Sequence, residues 1–395
     1  MGLLSACNLP DSLVRIFSQS SDQERIPSSQ EFLTPGVVAT PQIFLPIEGT
    51  LPPSTIQAPV IPSPRLISIH MFDENHGWGI TETQIARTLN GGVSWFDVTP
   101  PDMKGDLFGV SSEFTDAMHA WILITEPPDY QAGTLFRTSD GGQHWSSSTT
   151  PFGAGDLEFV DANTGWMMSD LGVGAGSMAV SVFQTTDGGA TWTRTYTNDS
   201  SLEGAGESLP RSGIKNQITP LNSQTAWISG IIYSPGTIYL YRTDDGGRVW
   251  FKINLVMPKG VEQSDFSVDE MEFVSETTGI LALRVGGDQI QTYIYMTEDG
   301  GNTWSLSGSP VNGSGQIEYL SVTDYIMYGM DQFHVTRDAG RLWSTISPDV
   351  YFGDRVGGVE FVNPATGWVI VSDSAGHNKL YMTSDGGRSW ALLTQ

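Results

Sequence analysis

The chain contains one cysteine, Cys7, so no intramolecular disulfide is possible. Lysine is nearly as scarce, and all lysines and arginines together number 19 against 44 aspartates and glutamates, a net charge of −25. A chain so short of cations cannot neutralise a phosphate backbone, which excludes nucleic acid and an anionic membrane surface as partners. No run of about 18 apolar residues exists, so no transmembrane helix is expected. The six histidines are scattered, without His-x-x-x-His or Glu-x-x-His spacing, so no metal is expected. His76 and His119 occupy the same turn position in successive repeats, which suits a turn role. No cofactor motif stands out. Gly172, Gly174 and Gly176 invite a phosphate-loop reading, but strand-type residues follow them instead of a helix, and a flexible loop is expected.

What is abundant is glycine (45) and tryptophan (12), the composition of many short strands and turns. A length of 395 residues suits two or three domains or one large repeat array. The N-terminus reads differently from the rest. Leu4-Ser5-Ala6-Cys7 resembles the lipobox of bacterial lipoproteins, in which the cysteine takes a lipid and becomes the mature N-terminus. Only six residues precede it, fewer than a charged and apolar leader needs, so this reading supposes a longer upstream segment. A chance cysteine is the alternative. Residues 8–64 then carry ten of the 22 prolines among Ser, Thr and Gln, and read as an extended tether.

Residues 65–395 are organised by repeats, which must be sought before anything else. Thr-x-Asp-Gly-Gly-x-x-Trp recurs seven times, its third position being Asn90, Asp140, Asp187, Asp245, Asp299, Asp338 and Asp385. The closing tryptophans run from Trp95 to Trp390, about one every 49 residues. A second motif precedes each copy: an aromatic or apolar residue, a turn opened by Asp, Asn or Ser, then Trp in five copies and Ile280 or Ile326 in the other two, as in Phe159-Val160-Asp161 to Gly165-Trp166. The two motifs together account for all twelve tryptophans.

One repeat reads as four strands: an inner strand ending at Phe159, a second from Gly165, a third with alternating pattern over 179–185, and a fourth from Trp192. In the Asp-Gly-Gly turn the carboxylate can accept from the amides of its own loop, and the glycines supply positive φ. Units of this length and strand number are propeller blades, which bury their faces against one another. The expectation is an all-β, seven-bladed β-propeller of four-stranded antiparallel blades behind a Pro-rich tail.

The repeated motif resembles the Asp-box, or BNR repeat, of sialidases, sortilin-type receptors, xyloglucanases and the photosystem II assembly-factor family. Its pairing with Phe-x-Asp-x-x-x-Gly-Trp over residues 65–395 is most similar to the assembly-factor-like group. The resemblance implies that the Asp-box residues are structural, and that the partner is a protein, such as a membrane-complex subunit or assembly intermediate. Together with Cys7 it implies an exported monomer, lipid-anchored on the outer side of the bacterial cytoplasmic membrane.

An enzymatic reading meets obstacles. The sialidase resemblance would require an arginine triad and a Tyr/Glu pair. Arg87, Arg137 and Arg242 directly precede the Asp-box threonine, while Arg211, Arg284 and Arg355 have no matching Tyr/Glu pair. A two-carboxylate glycosidase stays open, because acids are plentiful and their separation is not written in the sequence. A carbohydrate-active propeller is therefore the alternative to a non-enzymatic binding platform.

Two features are less uniform. The residue before the inner-strand aromatic is Glu in five repeats, Glu113, Glu158, Glu272, Glu318 and Glu360, with His70 and Thr219 in the others. This places a ring of acids at the inner-strand ends, on the Asp-box face. Each acid either bonds locally within its blade or helps to form a cation-attracting mouth. The connections on the opposite face are long: 126–134, 170–178, 196–213, 231–236, 254–269, 285–292, 348–355 and 372–378. They carry Tyr130, Arg211, Tyr233, Met257, Tyr351 and Phe352, residue types that anchor interfaces, and are the candidate partner-binding positions.

Overall fold

The computed structural model describes residues 56–125, 131–287, 289–329, 331–353, 355–373 and 376–393. Cys7 and Tyr130 lie outside the described residues. Twenty-eight strands, and no α-helix among the described residues, follow one another in seven quartets. Each quartet is an antiparallel meander, as in Gly155–Phe159, Gly165–Gly174, Ser177–Thr185 and Thr193–Thr197 of quartet 3. The sheets number six. Five quartets stand alone, while quartets 4 and 5 share one eight-stranded sheet through a single pairing of Ile231 with Ser267.

The first strands of the quartets are Leu66–Met71, Ser111–Phe114, Gly155–Phe159, Ile214–Pro220, Phe266–Phe273, Ile317–Tyr319 and Val356–Phe361. Successive first strands contact each other, and the first touches the last, so they ring a central channel. The ends meet without an exchanged strand, since neither terminal sheet borrows a strand from the other. Leu66, Met71, Ala86 and Trp95 share one core cluster with Trp368, Ile370 and Leu380. Trp368 Nε1 donates to Gly91 O at 2.9 Å across this joint.

The seven turns share one construction. In quartet 3 the Thr185 hydroxyl donates to Asp187 Oδ1 and accepts from Gly189 N, and Asp187 Oδ1 accepts from Thr191 N. Asn90 performs the same task in quartet 1, accepting from Ser94 N at 2.9 Å. The residue after the Asp or Asn donates its N–H to the turn joining the first two strands of the same quartet: Gly91 to Asn75 O, Gly188 to Asn163 O, Gly386 to Ala365 O. Both turns of every quartet are thereby tied together on one face. At Gly188 the φ is +69°, and a Cβ would lie 2.7 Å from Ala162 O. Quartet 6 carries Ala339 at this place with φ +60°, bonded in the same way to Thr323 O.

Two sequence expectations are corrected. The segment 170–178 is a β-hairpin and not a flexible loop: pairing continues to Gly174↔Ser177. The last residues of the expected tether lie on the propeller, where Val60 pairs with Phe96, and Ile56, Ala58 and Ile61 pack against the cores of quartets 1, 2 and 7.

Candidate functional site

Three regions carry the chemistry: the channel, the face with the tied turns, and the opposite face with the long connections. In the channel, strand register places His70, Glu113, Glu158, Thr219, Glu272, Glu318 and Glu360 in one layer, each opposite the second-strand Trp or Ile of its quartet. The Glu layer thus sits near the tied-turn face, as the repeats imply.

Two of these acids bond beyond their own quartet, although Glu318 also accepts locally from the Gln316 amide. Glu318 Oε2 accepts from Phe361 N at 3.3 Å and Glu360 Oε1 from Met71 N at 3.0 Å, both across a junction. One layer deeper, Asp156 Oδ2 accepts from Ile218 N at 2.6 Å and Glu270 Oε2 from Ile317 N at 2.9 Å. The physical reason is the edge strand. A first strand exposes N–H groups toward the channel, and at these junctions a carboxylate from the preceding quartet satisfies one of them. Glu158 meets Pro220 at the corresponding place, which has no N–H to give.

Protonation follows from crowding. Enclosure by the channel walls pushes Glu360 up to about 8 and Glu272, whose side chain is open to channel water, toward about 7; enclosure and the Asp156 carboxylate push Glu113 to about 8. Burial, then Glu113, raises Glu158; burial, then Glu360, raises Glu318. Burial lowers His70, whose Nδ1 lies 3.5 Å from Glu360 Oε1. The glutamate shifts all favour the protonated acid over the carboxylate. Among the described residues no group of three or more His, Cys, Asp and Glu side chains is arranged to hold a metal ion.

The arginines before the turns are latches. Arg87 Nη1 donates to Gly141 O, Arg137 Nη1 to Asp187 O and Gly188 O, and Arg242 Nη1 to Gly300 O, each in the next quartet. His76 and His119 are bound through Nδ1 to Asp73 and Asp116 of their own turns, both at 2.8 Å.

The tied turns expose the aliphatic Val93, Val249 and Leu342, whereas the long-connection face exposes aromatic residues as well: Phe108 (79%), Tyr233 (68%) and Tyr351 (82%), with Val256 (80%). Arg211 is also exposed, and its backbone is fixed from below by Lys215. Lys215 Nζ is buried and donates to Met178 O, Arg211 O and Gly213 O at 2.8, 2.9 and 3.1 Å. Phe352 is not a surface anchor: it is 4% exposed and packs in the core between quartets 6 and 7, with its ring 5.3 Å from that of Trp390. Met257 is likewise packed against the core. Sequence spacing could not separate Tyr351 from Phe352, because adjacent loop residues follow no strand alternation. Phe108 and Val256 were missed; they lie in connections between quartets, among apolar neighbours such as Leu107 and Leu255 that turn inward, so sequence could not single them out.

Comparison with protein-family models finds no match, and neither does comparison with curated protein sequences. Among solved structures the chain is similar to the GH74 xyloglucanase of Xanthomonas campestris, with 12% identity and a TM-score of 0.57, over 86% of this chain and 55% of that one. It is also similar to YCF48 bound to a D1 peptide (17% identity, TM-score 0.48, 84% of this chain and 93% of that one). A third is the PL25 ulvan lyase (12% identity, TM-score 0.49, 85% and 95%). At such identities the likeness is one of fold: the chain is a β-propeller.

Proposed function

We propose that this chain is a non-enzymatic, Asp-box propeller that binds a protein partner through its long-connection face. The carrying observation is the exposure of Phe108, Tyr233, Val256 and Tyr351 in long connections distributed around that face, opposite a face whose turns are tied down in the same way in every quartet. Exposed aromatic side chains over a rigid scaffold are the usual anchors of interfaces. Glu318 and Glu360 are already engaged in joining quartets, so a structural role accounts for them without catalysis. In the fuller reading the protein is exported, carried on the outer side of the cytoplasmic membrane by a lipid on Cys7, and serves a membrane-complex subunit or assembly intermediate.

The test is cross-linking of the full chain in its host, identification of the partner by mass spectrometry, and affinity measurement with that purified partner. Tyr233→Ala, Tyr351→Ala and Arg211→Ala should weaken binding, by about 30-fold for an anchoring aromatic, without shifting the melting temperature. Turnover of xyloglucan or nitrophenyl glycosides that disappears in Glu272→Gln would replace this reading by a carbohydrate-active one. Loss of partner binding in Glu158→Gln and Glu318→Gln, with silent loop variants, would move the function to the channel.

A further inference from the structure

A cavity of about 700 Å³ opens on the long-connection face between quartets 5, 6 and 7. Its walls are largely bare backbone, with Gly313, Gly315, Gly353, Gly357 and Gly358 among the lining residues. Its size lies within the range of ligand sites.

The wall formed by the strand Val356–Phe361 has an unfinished edge. At three successive junctions the same N–H of the incoming first strand is capped by the preceding quartet: Ile218 by Asp156 at 2.6 Å, Met271 by Gln217 at 3.2 Å, Ile317 by Glu270 at 2.9 Å. The next in line is Val359, and the residue placed to cap it is Gln316. Gln316 instead turns its amide to Glu318 Oε1 at 2.9 Å, while Glu318 takes the N–H of Phe361 further along. Phe361 N points away from its own sheet, so Val359 N, two residues earlier, does too. It has no hydrogen-bond partner among the described residues; the same holds for the equivalent Ile69, Ser112 and Leu157 N–H groups, but of these four residues Val359 is the one that lines the cavity. Beside it, Gly358 leaves open space: a Cβ built there meets nothing within 4 Å.

We propose that this cavity takes an extended peptide segment of a partner protein, bearing a basic side chain, which adds to the free edge of Val356–Phe361 by accepting the Val359 N–H. This rests on the protein-binding reading and names the chemistry of the partner. What Val359 lacks is an acceptor oxygen. A carboxylate is disfavoured there by Asp331 in the cavity wall and by the net charge of −25, whereas a backbone carbonyl is a neutral acceptor. The glycines let a second backbone approach the strand closely, as strand addition requires. Ile290 in the wall and Tyr351 beside Gly353 supply apolar contacts at the rim. Asp331 supplies the complement for a lysine or arginine.

The test uses the full chain with two fluorescein-labelled heptapeptides, alternating Val-Lys and alternating Val-Glu, and a xyloglucan heptasaccharide. The Val-Lys peptide should bind by fluorescence anisotropy and slow hydrogen exchange at the Val359 amide. Gly358→Leu fills the open space and should weaken binding at least tenfold at unchanged melting temperature; Gly357→Leu, whose Cβ would meet only Ile370 at 3.9 Å, serves as a second blocking variant. Asp331→Asn should weaken the Val-Lys peptide severalfold. No binding of the Val-Lys peptide, equal binding of the Val-Glu peptide, binding of the saccharide alone, or undiminished binding by both glycine variants would overturn the inference. If Tyr233→Ala and Tyr351→Ala impair partner binding while both glycine variants leave it intact, the cavity inference fails and the protein-binding reading stands. If no protein partner is found at all, that reading itself fails.

Discussion

Trp121 and Phe159 lie face to face, ring centroids 3.9 Å and planes 11° apart, although they belong to neighbouring quartets. Trp78 on Phe114 (5.4 Å) and Trp227 on Phe273 (4.4 Å) repeat the arrangement. The Trp of one second strand stacks on the Phe that ends the next first strand, so the two halves of the Phe…Gly-Trp motif serve different junctions. Trp121 Nε1 also donates to Gly188 O at 3.0 Å, which joins the stack to the neighbouring turn.

Trp121→Ala should therefore loosen a junction as well as empty a core. We expect a loss of about 3–5 kcal/mol in urea unfolding. A double-mutant cycle with Phe159→Leu should show coupling of about 0.5–1.5 kcal/mol. Additive losses would mean that the stack contributes nothing beyond burial.

Asp187→Ala removes the acceptor of Thr191 N and Thr191 Oγ1 and should cost about 1–3 kcal/mol. Asp187→Asn keeps a carbonyl oxygen, as Asn90 does in the first turn, and should cost less. Equal melting of Asp187→Ala and the unmodified chain would show that the turn is not held by this side chain.

Acid should attack the same turns. Bonds from the Thr303 amide and hydroxyl hold Asp299 down to about 2, and bonds from the Ser389 hydroxyl and amide do so for Asp385. Their contribution is complete above the ordinary carboxylate range and is lost as pH falls through about 2. Thermal melts should thus drop between about pH 4 and pH 2, and less so in an Asp299→Asn, Asp385→Asn variant. Identical acid profiles would refute the assignment.

The channel titrates in the opposite sense. Glu113 and Glu272, raised to about 8 and about 7, favour folding while protonated, and this is lost as pH rises through those values. Glu113→Gln with Glu272→Gln should raise the melting temperature at pH 9 relative to the unmodified chain and change it little at pH 5. A pH-independent difference would mean that these acids are not crowded as their positions imply.

Lys215→Met removes a shared donor from three carbonyls, of which Arg211 O keeps the Met178 N–H, and should destabilise by about 1–3 kcal/mol. It should also weaken partner binding by releasing the Arg211 backbone, making Lys215 a positioning residue. Weakened binding measured well below the melting transition, with the fold intact by circular dichroism, would separate this from simple unfolding.

The sequence by itself determined the strand meander, the two turns of each quartet and the layer of channel residues. All of these are local or periodic. A Thr-x-Asp-Gly-Gly turn is closed by its own side chains, and strand alternation places Glu158 and Glu360 at the same depth without reference to neighbours. Only the tertiary structure decided what those residues touch. Glu360 reaches Met71, 289 residues away, because ring closure brings the last first strand beside the first. Arg87, immediately before a turn of its own quartet, latches onto Gly141 of the next. Tyr351 faces water while Phe352 fills the core, a choice made by the path of one loop between two sheets. The uncapped Val359 likewise depends on which way the Gln316 amide turns, here toward Glu318.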